Sequence, residues 1–188
     1  WALIGRGMGS ATRAACGRIA KGSPWFEAGS ASAGNGAAMR STPIALAAPV
    51  DMNALRRIAA ETSVITHADP TAVASSIVMA YITAFLLHTP TGQLDHDELL
   101  AGIDAVLDGI EDPARKQRKQ GRRVTLRDRI HEVFIMRHMP IEDVYDVTYN
   151  GGFVLESLPA AIGAFIVIQT SRRTVADCAQ YKTLFSGS

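Results

Sequence analysis

Cysteine is nearly missing from this chain: Cys16 and Cys178 are the only two, far apart and in no CxxC pattern. A disulfide framework and a thiolate metal knot are thereby excluded as organising devices, and both residues are expected to be buried thiols in a reducing, cytoplasmic setting. Charge of one sign is also lacking, the formal net charge being +1, so neither nucleic acid nor an anionic membrane has a global electrostatic claim. Strict alternation of apolar and polar residues is scarce, which argues against a sheet. Long hydrophobic runs are few. The most apolar window, Val73 to Leu87, is shorter than the ~18 residues of a membrane span and carries hydroxyls throughout, so it is expected to be a central core helix. The first residues, Trp1-Ala2-Leu3-Ile4, include no methionine, basic start or cleavage pattern, as expected of a chain met partway along.

What is present is the composition of an ordinary core: 47% hydrophobic and 20% charged residues over 188 positions. Such a length fits one compact domain that needs no metal merely to fold. Apolar residues recur at spacings of three and four, so the expected fold is all-α, a compact multi-helix orthogonal bundle around a buried central helix. Helices are expected over Ser10 to Lys21, closed by Gly22, and over Ala37 to Ala48, where Pro43 must kink the helix or sit in a first turn. Asp51 can cap the next helix and bury Met52, Leu55, Ile58 and Ala59. Asp69-Pro70 is a start signal for a helix reaching about His88. Asp95 with Glu98 precedes a stripe of Leu99, Leu100, Ile103, Val106, Leu107 and Ile110. Further helices are expected over Thr125 to Arg137, Pro140 to Val147, Phe153 to Gln169 around Pro159, and Thr174 to Leu184.

Two segments carry the functional signal. Gly29 to Arg40 is a loop of Gly, Ser and Ala ending in Gly34-Asn35-Gly36 before a helix, and Thr66-His67-Ala68-Asp69-Pro70 opens another. Glycines admit a ligand close to the backbone, Asn-Gly tolerates left-handed geometry, and a helix start offers amides without intrahelical partners. Together they suit a phosphate-bearing ligand, with His67 able to donate to a phosphate or ribose oxygen. Taken singly, each has a plainer reading: a turn before a helix, a packed histidine, and Asp69 as a cap.

In order and spacing, Ser32-Ala33-Gly34-Asn35-Gly36-Ala37-Ala38-Met39-Arg40 followed by Thr66 to Pro70 resembles the ADP-ribosylglycohydrolase family. Gly5-Arg6-Gly7-Met8-Gly9-Ser10-Ala11-Thr12 and Phe153 to Ala161 match its glycine-rich lead-in and its late core helix, and Thr89 to Asn150 is the most variable part. The resemblance implies an all-helical fold that binds ADP-ribose and hydrolyses its glycosidic bond to a protein side chain or a related ADP-ribosyl compound. It implies substrate contacts at Ser32, Gly34, Asn35, Gly36 and His67. The position between the family's serine and first glycine is sometimes an aromatic that stacks on adenine; here it is Ala33, and Trp25 or Phe26 in the same loop could supply a ring if they do not simply pack there.

The family's two divalent ions, Mg2+ or Mn2+, are held by an early Thr-Asp-Asp motif and a late Asp-x-Asp motif. Neither is present, so no metal ligand and no catalytic residue is assigned within residues 1–188, the central part of a longer domain of this type on this reading. Asp95-His96-Asp97-Glu98 is read as caps and solvated faces. The alternative to an enzyme is a non-catalytic ADP-ribose-binding module that has lost those carboxylates. The basic run from Arg115 to Arg123, with Arg127 and Arg129, lacks interleaved aromatics and is expected to be an exposed loop, nucleic-acid binding being the weaker option.

Overall fold

A computed structural model describes residues 8–47, 51–90, 92–116 and 121–170. The expected helix over Thr174 to Leu184, Cys178, and Gly5 to Gly7 lie outside those residues. The described chain is α-helical apart from one two-residue ladder. Its helices are α1 (Ser10–Ala20), α2 (Gly36–Met39), α3 (Thr42–Ala47), α4 (Met52–Val64), α5 (Pro70–His88), α6 (His96–Leu107), α7 (Leu126–Ile135), α8 (Ile141–Thr148) and α9 (Val154–Thr170). Single 3-10 turns occupy Trp25–Glu27 and Met136–His138.

The helix starts follow from side chains that satisfy first-turn amides. Asp51 accepts from the amides of Asn53 and Ala54 at 2.9 and 3.1 Å. Asp69 accepts from Thr71 at 2.9 Å, with Pro70 in the first helical position. Asp95 accepts from Asp97 and Glu98. At α7 the sequence Thr125-Leu126-Arg127-Asp128 forms a full capping box: the Thr125 hydroxyl takes the Asp128 amide, and the Asp128 carboxylate takes the Thr125 amide. Pro43 separates α2 from α3 by sitting in the first turn of the latter, where its missing N–H costs nothing.

Helix α5 is the centre. It packs against α2, α3, α4, α6 and α9, and Ala72, Ala74, Ile77, Val78 and Ala80 are fully buried. At 19 residues and a mean hydropathy of 1.7 it is long and apolar enough to cross a membrane by length and composition; in this fold about 56% of that apolar stretch is buried against neighbouring helices. One main core gathers Val78 and Ile82 of α5, Leu99 and Ile103 of α6, Leu126, Ile130, Val133 and Phe134 of α7, and Leu155, Leu158, Ile162 and Ile166 of α9. Each such side chain contributes roughly 1.5–3 kcal/mol by leaving water. A smaller core joins Ile44, Leu55 and Ala59 to Ile77 and Val106.

Pro159 lies inside α9, where it can donate nothing to the Leu155 carbonyl one turn back. Arg129 replaces that donor: its Nε gives to the Leu155 carbonyl at 3.3 Å, and its Nη2 gives to the Val147 and Thr148 carbonyls at the end of α8. It also pairs with Glu132.

Several expectations need correction. Arg129 is 1% exposed, so it is an internal cross-brace and no part of an exposed basic loop. Arg115 binds Asp69 at 2.5 Å and Arg127 binds Asp104 at 2.8 Å, leaving Lys116, Arg122 and Arg123 as the exposed basic members of the described run. Arg115–Lys116 and Arg123–Val124 form a short antiparallel ladder that nothing in the residue pattern announced. Cys16 is exposed, because Ala11 and Ala15 take the buried side of α1.

Candidate functional site

Residues 29–34 form a strap that leads through Asn35 into α2 and is held from both sides. On one side the Ser30 amide donates to the Thr66 carbonyl and the Ala68 amide to the Ser30 carbonyl, at 3.1 and 2.9 Å. On the other, the Val154 amide donates to the Ala33 carbonyl and the Asn35 amide to the Gly152 carbonyl, at 2.9 and 3.1 Å. The strap therefore joins the turn before α5 to the start of α9. Gly29 is required by closeness alone, since a Cβ there would stand 2.1 Å from the Val64 carbonyl oxygen.

His67 projects from the Thr66 to Ala68 turn onto this strap. Its backbone is clamped to Ser63, donating to that residue's carbonyl at 2.8 Å and accepting from its hydroxyl at 3.0 Å. The imidazole lies against Gly34 and Gly36. A Cβ on Gly36 would come within 2.9 Å of His67 Cε1, and one on Gly34 within 3.4 Å of Nε2. The glycines thus make room for a ring. Left-handed geometry, expected of Asn-Gly, is not used: Asn35 is right-handed helical at φ −76°, ψ −2°.

Ser32, Gly34, Asn35, Gly36 and His67 line one cavity of about 650 Å³, together with Gly9 to Thr12 of α1, Met39 and Arg40. The two helix starts on this cavity are those of α1 and α2. Gly9, at the head of α1, makes no side-chain cap. The start of α5 is closed by protein groups, Asp69 Oδ1 taking the Thr71 amide and Asp69 Oδ2 taking Arg115 of the short ladder. Within the strap the Gly34 amide is bound to the Ser32 hydroxyl at 3.3 Å and the Asn35 amide to Gly152, so neither is offered to a guest as amides at this loop were expected to be. Trp25 and Phe26 do not line the cavity; they meet edge to face at 5.5 Å and are exposed. Met39, 75% exposed, and Ala11 are apolar side chains that do.

Arg40, which spacing did not single out, also lines the cavity. Its guanidinium donates to the carbonyls of Gly36, Thr62 and Ser63 and, at 2.6 Å, to the Thr66 hydroxyl. Thr66 Oγ1 in turn lies 2.7 Å from His67 Nδ1. Burial lowers the pKa of Arg40 from a value so high that it remains a cation. Burial first, and then the Arg40 charge, lower the pKa of His67, which is therefore neutral at pH 7. No carboxylate lines the cavity, and no group of three His, Cys, Asp or Glu side chains able to hold a metal occurs among the described residues.

A mainly helical fold thus brings a glycine strap, a histidine and a fixed arginine to one cavity. The family model for ADP-ribosylglycohydrolase matches residues 1–182, and the chain belongs to that family. No solved structure matches it.

Proposed function

We propose that this chain binds ADP-ribose within a cytoplasmic hydrolase that cleaves the glycosidic bond joining ADP-ribose to a protein side chain or to a related ADP-ribosyl compound. The observation that carries this reading is the convergence of Ser32, Gly34, Asn35, Gly36 and His67 on a single cavity of about 650 Å³. That volume lies within the range of roughly 300–1,000 Å³ that small-molecule sites occupy. The Arg40 cation and the start of α1 favour the pyrophosphate, while Ser32, Asn35 and His67 offer hydrogen bonds to ribose and phosphate oxygens.

The family's Mg2+ or Mn2+ pair would polarise the ribose and activate water. The described residues do not fit such a pair: the cavity has no carboxylate, Asp69 is committed to Thr71 and Arg115, and Asp95 to the start of α6. Its ligands would stand outside the described residues. What the chain supplies is affinity and orientation, holding the pyrophosphate so that the ribose carbon is presented at a fixed place. The hydrolysis adds water to that carbon, breaks its bond to nitrogen or oxygen, and returns a proton to the leaving group.

Calorimetry of the intact protein with ADP-ribose should show saturable one-to-one binding, weakened when His67→Ala is introduced. An absence of binding would overturn the reading. With Mg2+ or Mn2+ present, release of free ADP-ribose from a modified protein identifies the hydrolase; binding without release identifies a non-catalytic module instead.

A further inference from the structure

Resting on that reading of the cavity, we infer that Arg40 acts through Thr66 as a positioning device that fixes His67 as its Nε2–H tautomer, so that the imidazole offers the guest a hydrogen-bond donor. The chain of contacts has one consistent proton arrangement. A guanidinium only donates, so Thr66 Oγ1 must accept from Arg40 Nη2 across their 2.6 Å contact. Its own proton is then left for His67 Nδ1, 2.7 Å away. Nδ1 accepts, and a neutral imidazole that accepts at Nδ1 carries its proton on Nε2. The opposite arrangement, Nδ1–H donating to Thr66, would give Oγ1 two incoming protons and leave its own without an acceptor, because no other Oγ1 contact exists among the described residues. Thr66 and His67 are buried, at 7% and 5% exposure, so water is a poor substitute for that acceptor. A doubly protonated imidazole is opposed by burial and by the neighbouring Arg40 charge.

Nε2 faces the strap, 3.2 Å from where a Cβ on Gly36 would stand and 3.4 Å from one on Gly34, and has no hydrogen-bond partner among the described residues. The absence of side chains at those two positions leaves the Nε2–H direction open to the cavity. Arg40 itself is spread over the carbonyls of Gly36, Thr62 and Ser63 as well as Thr66, so the relay is held to both the start of α2 and the end of α4. Thr66 and Arg40 thereby set which kind of guest atom His67 accepts as a neighbour: an oxygen acceptor such as a phosphoryl or hydroxyl oxygen, and never a donor.

Long-range proton–nitrogen NMR of the nitrogen-labelled intact protein, without ligand and at neutral pH, tests the relay directly. His67 should show a protonated-type Nε2 and a bare-type Nδ1; the reverse pattern overturns the inference with no variant needed. Thr66→Val should abolish that pattern, giving a tautomer mixture, and weaken ADP-ribose binding by the factor by which the Nε2–H fraction falls, about twofold for an even mixture. Thr66→Ser, which keeps the hydroxyl, should restore both; an unchanged spectrum or unchanged affinity in a folded Thr66→Val protein counts against it. Should the wild-type spectrum show the Nε2–H form while ADP-ribose fails to bind, the relay stands and the functional reading falls.

Discussion

The face that carries the cavity and the core beneath α6 to α9 are built from different materials. The first is Gly, Ser, Ala and Thr on a strap and short helices, located by backbone hydrogen bonds to the Thr66 and Gly152 turns and by the Arg40 guanidinium. The second is Leu126, Ile130, Val133, Phe134, Leu155 and Ile166, all at or near zero exposure, braced by Arg129. Directional bonds fix atoms to within tenths of an ångström but add little net stability, whereas apolar burial adds stability without direction. Each region should therefore fail in its own way when cut.

The largest effect is expected at Arg129→Ala. It strips donors from the carbonyls of Leu155, Val147 and Thr148 at once and takes from Glu132 one of its two arginine partners, leaving Arg122. A loss of about 3 kcal/mol or more is expected by chemical denaturation, since each buried carbonyl left unpaired costs roughly 1–3 kcal/mol. Pro159→Ala alone should not rescue it, although it returns an N–H to the Leu155 carbonyl, because the end of α8 stays open. ADP-ribose affinity per folded molecule should stay near that of the wild type, which would separate core from site; an equal loss of affinity would break the comparison.

Gly36→Ala cuts the other way. The new methyl enters within 2.9 Å of His67 Cε1, and the ring must move from the strap. Overpacking costs about 1 kcal/mol or more, while replacing glycine, here the first residue of α2, returns about 0.4–1 kcal/mol by restricting the unfolded chain, so the melting midpoint should shift little. Affinity for ADP-ribose should fall by about tenfold or more as the histidine donor is displaced. A normal affinity would show that His67 does not meet the guest.

Acid separates the regions less sharply. His67 has a folded pKa below the ordinary value of about 6.5, as burial and Arg40 disfavour its cation, and His96 is lowered too, by burial first and by Arg137. On acidification the unfolded chain binds protons near pH 6.5 that the folded chain still refuses, so the two contributions are intact above that pH. They are lost as pH falls toward the folded values. Urea midpoints at pH 8 and pH 7 should agree with regard to these groups, with a decline setting in below about 6.5. His96→Gln should remove part of the decline, and what is left should follow the NMR titration of His67.

The difference between the regions also explains what was legible in the sequence. Caps are local, so Asp51, Asp69 and Asp95 could be read from their own neighbourhoods, and the Thr125 and Asp128 box was there to be read by the same spacing. The residues of the strap and His67 were legible as a set through the family resemblance. Their physical reasons were not: Gly36 serves an imidazole from a segment some thirty positions on, and the guanidinium of Arg40 reaches Thr66, 26 residues away. The same holds for Arg129, which serves carbonyls on α8 and α9 and so reads as one more basic residue in a polar run. Cys16 was misjudged because the small residues Ala11 and Ala15 were enough to bury the inner face of α1.

The smallest effect tests whether surface charge matters to either region. Arg57 and Glu61 lie one turn apart on α4, 3.2 Å between charged atoms, with side chains 64% and 47% exposed. The pair runs in the less favourable direction for a helix, cation before anion, so Glu61→Gln should cost no more than about 0.3 kcal/mol and vanish in high salt. Its position gives the measurement a second use. Glu61 immediately precedes Thr62 and Ser63, whose carbonyls hold Arg40. If α4 is a rigid anchor for the Arg40 network, ADP-ribose affinity in Glu61→Gln will match the wild type. If affinity falls although stability does not, the end of α4 gives way easily, and the precision of the site is then set by how firmly that last turn is held.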